Sequence, residues 1–422
     1  MTAVDLQLAP RTTALVEVVR RAAGEPSPAR VRSALTAVGW DDLLGAARLH
    51  GIEGTVGAVV LRDAADLVSD EAAEDLRELR RGVAARSLLM SRQALAVIDL
   101  LRRGGVRAML YKGPALSEPM YGDVAARSWC DIDLIVAADD VPAAAKALVD
   151  GGLTADAGGV ALGADMLASE QEMGFRHAPS GLALDLHWRV GLRFAGGALD
   201  GEDLLARAVP GEVLERPVLV PSLGDTALLT AVHAAHHTWE QLDHVLTMAL
   251  ALESLAAAGP EASDAVVEVA RRSGCARRLR IGVLLVRAIA GVTAPRPLAD
   301  DAVVDRRARR LAASAGADLL WRIELEGERR AGRRPHSHAR EVLWQLSSLD
   351  SSAASLRHGA ARLLRPGARD TGVGPAAGRA GDSSERAAGG AVASGRGTAD
   401  RGGAAAVETL RAVIRRQRRI WG

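Results

Sequence analysis

The N-terminal quarter of the chain has the hydrophobic spacing of amphipathic helices. Apolar residues recur three and four positions apart between residues 15 and 22, and again between 88 and 101. Such spacing places them on one face of a helix, and a composition rich in Ala, Leu and Arg also favours helix. We therefore predict a helical N-terminal region over 1–104, ended by the pair Gly104-Gly105.

The pattern changes at residue 105, where short apolar runs alternate with turn residues and short helical stretches. We predict these elements, in chain order: a strand over 106–111, a helix over 114–122, a strand over 130–136, a helix over 140–150, and strands over 170–177 and 182–190. Strands and helices mixed in this way form one layered unit. The predicted fold class is α+β, with a small mixed-sheet core over 105–221 flanked by N- and C-terminal helical regions.

The helical period returns at residue 222 and predicts a second helical domain over 222–365. Residues 366–405 contain mainly Gly, Ala, Arg and Ser, which predicts a disordered linker. The last segment, 406–422, is predicted to form a basic helix whose apolar face is a possible docking surface for a protein partner.

Composition narrows the class of protein. The chain is 48% hydrophobic with a net charge of +1, so a core is expected and bulk attraction to nucleic acid is not. Two cysteines exclude a disulfide framework and fit a reducing compartment. The sequence shows neither a signal-peptide pattern nor an apolar run long enough for a membrane helix, which predicts a cytoplasmic protein with no membrane partner.

A pair of acids carries the strongest chemical signal, in Trp129-Cys-Asp-Ile-Asp-Leu-Ile-Val136. Residues two apart in a strand point to the same face, so Asp131 and Asp133 would project together. Adjacent carboxylates repel each other, and a divalent cation removes that cost. The alternative is a surface strand with two solvated acids.

The segment Tyr111-Lys-Gly-Pro114 lies where a predicted strand passes into a helix. Gly113 permits close backbone approach to a ligand, and the helix N-terminus favours phosphate. Lys112, one of only two lysines in the chain, adds a positive charge. The alternative is an ordinary strand–helix turn with an exposed lysine.

A third segment, Leu184-Asp-Leu-His-Trp188, alternates as a strand does and places Asp185 and His187 on one face. A third carboxylate on a neighbouring strand would complete a site for two cations, as nucleotidyl transfer requires. Together the three acids would form a site for two divalent cations. The alternative is one solvated strand face.

The motifs resemble, over roughly 105–190, the bacterial uncharacterised nucleotidyltransferases of the polymerase-beta-type superfamily. The resemblance rests on K-G-x-x-L from residue 112, Tyr121, Arg127, D-I-D-L-I-V from residue 131, and D-L-H-W from residue 185. It implies that Asp131, Asp133 and Asp185 hold the metals, that Asp185 helps to deprotonate the acceptor, and that Lys112, Gly113 and Arg127 bind the nucleotide. Gly113-Pro114 stands where the superfamily usually has Gly-Ser.

The resemblance predicts an enzyme whose cofactor is a pair of Mg²⁺ ions and whose substrate is a nucleoside triphosphate. It would transfer a nucleoside monophosphate group to an unidentified acceptor (a small molecule, a peptide or a tRNA) and release pyrophosphate. One alternative is a non-catalytic nucleotide-binding scaffold in a biosynthetic assembly. Another is a toxin-like enzyme that modifies tRNA. His233 and His237 are four residues apart, as in the zinc motif H-E-x-x-H, but Ala234 replaces the required Glu. They are therefore interpreted as a polar helix face near the catalytic unit.

Overall fold

The computed structural model describes residues 8–156, 164–191, 197–326 and 338–351. The predicted linker at 366–405 and the predicted basic helix at 406–422 lie outside these residues. The helices, in chain order, are α1 (Pro10–Ala22), α2 (Ala29–Leu35), α3 (Trp40–Leu49), α4 (Glu53–Asp63), α5 (Asp70–Arg103), α6 (Pro114–Tyr121), α7 (Val141–Asp150), α8 (Ala164–Ser169), α9 (Gly201–Ala206), α10 (Leu223–His236), α11 (Leu242–Ala258), α12 (Pro260–Arg272), α13 (Ala276–Ile289), α14 (Arg296–Val304), α15 (Arg306–Glu326) and α16 (His338–Ser347).

The strands are short and lie in the predicted core. They are β1 (Met109–Leu110), β2 (Ile132–Ile135), β3 (Thr154–Ala155), β4 (Glu172–His177), β5 (Leu182–His187), β6 (Arg189–Val190), β7 (Leu199–Asp200), β8 (Val209–Val213) and β9 (Arg216–Val220). The first five form one sheet in the order β1-β2-β5-β4-β3, and the others pair as β6-β7 and β8-β9. Among the five, β2 and β5 are parallel and the remaining pairs are antiparallel. The α+β fold class is confirmed.

The two faces of the five-stranded sheet differ in polarity. On one face lie apolar side chains that are almost fully buried: Ile132, Leu134, Phe175, Leu184 and Leu186. Because side chains alternate along a strand, the other face receives the residues between them, which include the predicted acids. Burial of the apolar face fixes the register, since a slip of one residue would expose the whole set.

The helical regions on either side of the sheet pack against each other. The Arg11 guanidinium of α1 donates to the carbonyl oxygens of Ile323 and Glu324 on α15, and Arg20 donates to the carbonyl of Ile289. One hydrophobic cluster extends from α1 to Trp344 on α16. The N-terminal helices therefore share a core with the C-terminal ones.

The structure adds a hairpin, β8-β9, that the sequence pattern did not predict. Its turn consists of Leu214 and Glu215, whose φ angles are 49° and 61°. Two-residue hairpin turns with positive φ usually contain Asn or Gly, so the sequence carries no turn signal there. The observed strands β1 and β2 are also shorter than the predicted strands over 106–111 and 130–136.

Candidate active site

The three acids singled out from the sequence lie on one face of the sheet. Asp133 of β2 and Asp185 of β5 are direct register partners in the parallel pair. Neighbouring strands are about 4.8 Å apart, so in-register side chains stand side by side on the same face. Asp131 directly precedes β2, and its carboxylate lies close enough to Asp133, Lys112 and Arg127 to interact with their charges. The structure thus brings together carboxylates from two separate stretches of chain.

Two positive groups hold the Asp133 carboxylate. Its Oδ1 accepts from Lys112 Nζ at 2.9 Å and from His187 Nε2 at 2.9 Å, and its side chain is 4% exposed. Burial alone would raise the pKa of Asp133, but the Lys112 ammonium and the His187 ring outweigh it and hold that pKa below its usual range. Asp133 is therefore ionised, and its charge is compensated by the protein.

His187 connects Asp133 to a second carboxylate, on β4. Its Nδ1 lies 2.9 Å from Glu172 Oε2, and Glu172 is its cross-strand partner. Burial opposes protonation, but Glu172 and Asp133 together raise the pKa of His187 to about 10. Because both ring nitrogens face carboxylate oxygens, the ring is an imidazolium that donates on both sides.

The remaining two acids are not compensated in this way. Burial and the neighbouring Asp133 raise the pKa of Asp185 to about 6, and the same two causes raise the pKa of Asp131. The residues that the structure describes give the Asp185 carboxylate no hydrogen bond or ion pair. Asp185 is thus a carboxylate whose charged form is destabilised by its surroundings.

A glycine opens space beside Asp185. Gly174 of β4 is its cross-strand partner, and a Cβ there would lie 3.4 Å from Asp185 Oδ1 and 2.8 Å from Asp156 Oδ2. Asp156 follows β3 and pairs with Arg176 at 3.0 Å. A side chain at position 174 would therefore displace Asp156 and would lie in contact with Asp185, and the glycine keeps the space between the two acids open.

The strand–helix turn lies against the same face. The amide of Tyr111 donates to the Asp133 carbonyl at 3.1 Å, which extends the β1–β2 pairing by one residue. Gly113 has φ of +62°, a conformation that L side chains rarely adopt, and α6 begins at the next residue. This turn positions Lys112 so that its ammonium reaches Asp133.

Arg127 is held mainly by α11. Its Nη2 lies 2.5 Å from Asp243 Oδ2 and its Nη1 donates to Thr247 Oγ1 at 3.3 Å. The guanidinium also stacks over the Trp129 ring at 4.3 Å. Burial would lower the pKa of Arg127, but Asp243 raises it, so the group is a fixed positive charge at the edge of the acidic face.

The N-terminal helices anchor the loop that carries Arg127. Thr55 Oγ donates to the Ala126 carbonyl at 3.1 Å, and Arg86 Nε donates to the Trp129 carbonyl at 2.8 Å. A Cβ at Gly54 would lie 2.1 Å from the Ala125 carbonyl oxygen, so α4 approaches the loop as closely as a glycine permits. The helical region is thus part of the scaffold of the site.

Four histidines form a cluster where α10 meets α11. The ring of His233 lies 4.7 Å from that of His237 and 5.4 Å from that of His244, while His236 lies 5.1 Å from His237. Burial and neighbouring positive groups, including Lys112, lower the pKa of His233 and bring that of His237 to about 3. On the predicted polar helix face, His233 and His237 are therefore neutral imidazoles close to Lys112.

The donor set can be tested against a divalent cation. Hard carboxylate oxygens on one face, two of them with raised pKa, are ligands that Mg²⁺ prefers. Asp131, Asp133 and Asp185 therefore fit the ion in kind. Among the described residues, however, no group of three or more His, Cys, Asp or Glu side chains has the geometry to hold a metal ion. Lys112 and His187 instead hold the carboxylate of Asp133.

Two contributors were not identified from the sequence: Glu172 and Asp243. Glu172 lies on the same face as Asp185 only because β4 pairs with β5, and that pairing is not visible in a local pattern. Asp243 follows the His233–His237 segment by six residues, and only its contact with Arg127 reveals a role. In the sequence, the position of Asp243 next to His244 was the signal that could have drawn attention to it.

Residues 36–291 match the model of a family described as uncharacterised nucleotidyltransferase. Comparisons with curated proteins and with solved structures gave no match. Within the described residues, no helix combines the length and the apolar character that crossing a bilayer requires.

Proposed function

The chain belongs to the uncharacterised nucleotidyltransferase family, and from this premise we propose that it transfers a nucleoside monophosphate group from a nucleoside triphosphate to an acceptor. The observation that carries the proposal is the register of Asp133 with Asp185 across two parallel strands, beside the turn at Lys112. The family supports transferase activity, and the identity of the acceptor belongs to the proposal.

In the proposed reaction an acceptor oxygen forms a bond to the α-phosphorus, and the bond between that phosphorus and the bridging oxygen to the β-phosphate breaks. Pyrophosphate leaves, and the acceptor proton moves to the Asp185 carboxylate. A base is effective when its pKa lies close to the working pH. The pKa of Asp185, raised by burial and Asp133 to about 6, leaves the group ionised at pH 7.5 yet able to accept a proton.

Two positive groups are proposed to bind phosphate. Lys112 is 19% exposed, and in the proposal its ammonium exchanges Asp133 for a phosphate oxygen on the same face. Arg127 contacts Asp243 and Thr247 through two of its nitrogens, while a guanidinium carries five N–H donors in all. The turn at Gly113 brings backbone close to the ligand.

Mg²⁺ is proposed as the cofactor because the carboxylates match its ligand chemistry, although in the described structure they do not have a metal-binding geometry. Asp131, Asp133 and Asp185 would hold it, and when bound it would supply positive charge to the phosphate oxygens. The residues of the chain itself bind the nucleotide, orient the acceptor and take its proton. Removal of Mg²⁺ with EDTA is expected to abolish transfer and to leave the helix content, measured by circular dichroism, unchanged.

One observation favours a second function, that of a nucleotide-binding scaffold without turnover. The Asp133 carboxylate is already compensated by Lys112 and His187, so this acid does not need a metal ion to be stable. A scaffold of this kind would bind nucleoside triphosphates and release no pyrophosphate.

The test uses each nucleoside triphosphate labelled either on the α- or on the γ-phosphate, with Mg²⁺ and a cell extract that contains the acceptor. Nucleotidyl transfer moves the α label to the acceptor and releases the γ label as pyrophosphate. Asp185→Asn is expected to lose transfer by a factor of 100 or more, within the range of about 10²–10⁴ typical of a catalytic base. Asp156→Asn, on the same face, serves as the matched control and is expected to retain it.

Transfer of the γ label to the acceptor would show a kinase instead. Nucleotide binding with no product from either label would support the scaffold. Retained transfer in Asp131→Asn, with the fold intact, would refute the proposed role of the acids.

A further inference from the structure

The two tyrosines of the chain differ in the hydrogen bonding of their hydroxyl groups. The hydroxyl of Tyr121 lies 2.5 Å from Thr247 Oγ1, within hydrogen-bond distance. Tyr111 is 4% exposed, yet its hydroxyl has no hydrogen-bond partner among the described residues. Buried tyrosine hydroxyls usually find a partner, so within the described residues the hydroxyl of Tyr111 lacks the partner that is expected for it.

Tyr111 belongs to the acidic face described above. Its amide donates to the Asp133 carbonyl, so the residue lies beside Asp133 on that face. Its ring meets the His187 ring edge to face with centroids 5.6 Å apart, and Lys112 Nζ lies 4.6 Å from its centroid. The ring thus lies between two positive groups, both of which contact Asp133.

The surroundings determine what kind of atom the hydroxyl can bind. Burial raises the pKa of Tyr111, so the phenol stays protonated and can donate a hydrogen bond. The nearby carboxylates of Asp133 and Glu172 are held by Lys112 and His187, and neither forms a hydrogen bond with the Tyr111 hydroxyl. An acceptor atom of a ligand would satisfy the hydroxyl, and the positive charge of Lys112 beside it favours an anionic oxygen.

We propose that the Tyr111 hydroxyl donates a hydrogen bond to a phosphate oxygen of the bound nucleotide, in the part of the molecule that leaves as pyrophosphate. This inference rests on the proposed function, because it uses the same site and the same substrate class. It assigns Tyr111 a role in binding the polyphosphate, separate from the acids that act on the α-phosphorus.

The presence of only two tyrosines makes a direct test possible. The full chain is labelled with 3-fluorotyrosine, which gives two ¹⁹F signals that the variants Tyr111→Phe and Tyr121→Phe assign. Pyrophosphate and a non-hydrolysable triphosphate analogue, each with Mg²⁺, are expected to shift the Tyr111 signal. A nucleoside without phosphates is expected to leave that signal unchanged.

Affinity supplies the second measurement. Tyr111→Phe is expected to raise the Kd for pyrophosphate at least about tenfold, the effect of losing a hydrogen bond to a charged group. Its melting temperature is expected to equal or exceed that of the wild type, because no bond within the protein is lost. Tyr121→Phe, which loses its contact with Thr247, is expected to melt at a lower temperature.

An unchanged Kd in Tyr111→Phe would overturn the inference. A lower melting temperature with unchanged Kd would show that the hydroxyl is satisfied by a buried water and has a structural role. A shift of the Tyr111 signal with the nucleoside but not with pyrophosphate would place the hydroxyl near the base or sugar, and would also overturn it.

The outcome is separable from that of the proposed function. Pyrophosphate binding that depends on Tyr111, in a protein that transfers neither label, would sustain the inference and refute transfer. Transfer that proceeds equally well in Tyr111→Phe, with equal affinity for pyrophosphate, would sustain the proposed function and refute the inference about Tyr111.

Discussion

Replacement of Asp185 by Asn should stabilise the protein while it abolishes transfer. The carboxylate of Asp185 is half-buried beside Asp133, and burial with this neighbour raises its pKa from 3.8 to about 6. At neutral pH the folded protein must hold this group in its disfavoured charged form. The unfolded chain holds the same group in water, so ionisation of Asp185 favours unfolding. Asn cannot ionise, and the substitution therefore removes this loss of stability.

The magnitude follows from the pKa. A carboxyl whose pKa is about 6 in the fold and 3.8 in the unfolded chain lowers the free energy of unfolding by up to about 3 kcal/mol at pH 8. The sign is that of a raised pKa: the contribution of the neutral acid is complete below pH 3.8 and is lost as the pH rises through 6. At pH 5 the gain from Asp185→Asn should be about half of its value at pH 8.

The assay is urea unfolding, followed by circular dichroism, of the wild type and Asp185→Asn at pH 5, 6, 7 and 8 with EDTA present. Asp156→Asn is the control, because its ion pair with Arg176 is exposed and should contribute less than about 1 kcal/mol. Added Mg²⁺ should stabilise the wild type more than Asp185→Asn if this acid helps to hold the ion.

Two results would refute the reasoning. Equal or lower stability of Asp185→Asn at pH 8 would show that the carboxylate is not under electrostatic strain. A gain that is the same at pH 5 and pH 8 would show that Asn stabilises through a new hydrogen bond and not through loss of charge.

Three further predictions follow from neighbouring residues. Glu172 and Asp133 raise the pKa of His187 to about 10 against the effect of burial, so this pKa should fall in Glu172→Gln. An unchanged titration of His187, followed by NMR, would contradict this. Burial and adjacent histidines hold the pKa of His237 at about 3, so the contribution of His237 to stability should decline as the pH falls below about 6.5, where the unfolded chain takes up a proton first. His237→Gln should therefore gain stability relative to the wild type as the pH falls, measured by urea unfolding; an equal pH dependence of the two proteins would disprove it. Gly113→Ala should lower the free energy of unfolding by about 1–2 kcal/mol, because φ is +62° there although the nearest atom to the added Cβ is 3.8 Å away. Gly54→Ala should lower it further, because the added Cβ would lie 2.1 Å from a carbonyl oxygen. The reverse order in urea unfolding would count against the close packing of α4.

The face of the strand to which each acid points could be predicted from the sequence. Which acids lie next to each other across neighbouring strands could not. Alternation in a strand fixes which side chains share a face, and this placed Asp131 with Asp133 and Asp185 with His187. It does not say which strands are neighbours or in which register. That Asp133 stands beside Asp185 depends on the parallel pairing of β2 with β5, which the tertiary fold decides.

The partners of the basic residues were also out of reach of local patterns. Arg127 was predicted to bind phosphate because of its position before the acids. In the structure its charge faces Asp243 on α11, more than a hundred residues further along the chain. Its binding of phosphate stays a prediction. The same limitation concealed the approach of α4 to the loop, since nothing in the sequence around Gly54 identifies the segment that it contacts.

The polar groups of the acidic face fall into two kinds: those that the protein itself compensates and those that it leaves without a partner. Asp133 is compensated by Lys112 and His187, so this acid can remain ionised in the absence of any ligand. Within the described residues Asp185 has no such partner. The hydroxyl of Tyr111, which follows β1 on the other side of β2, also lacks one there. Groups left unsatisfied at such a cost lower stability unless something outside the chain completes them. We therefore expect ligand binding to act first on Asp185 and Tyr111, with Lys112 changing its partner only when phosphate is present.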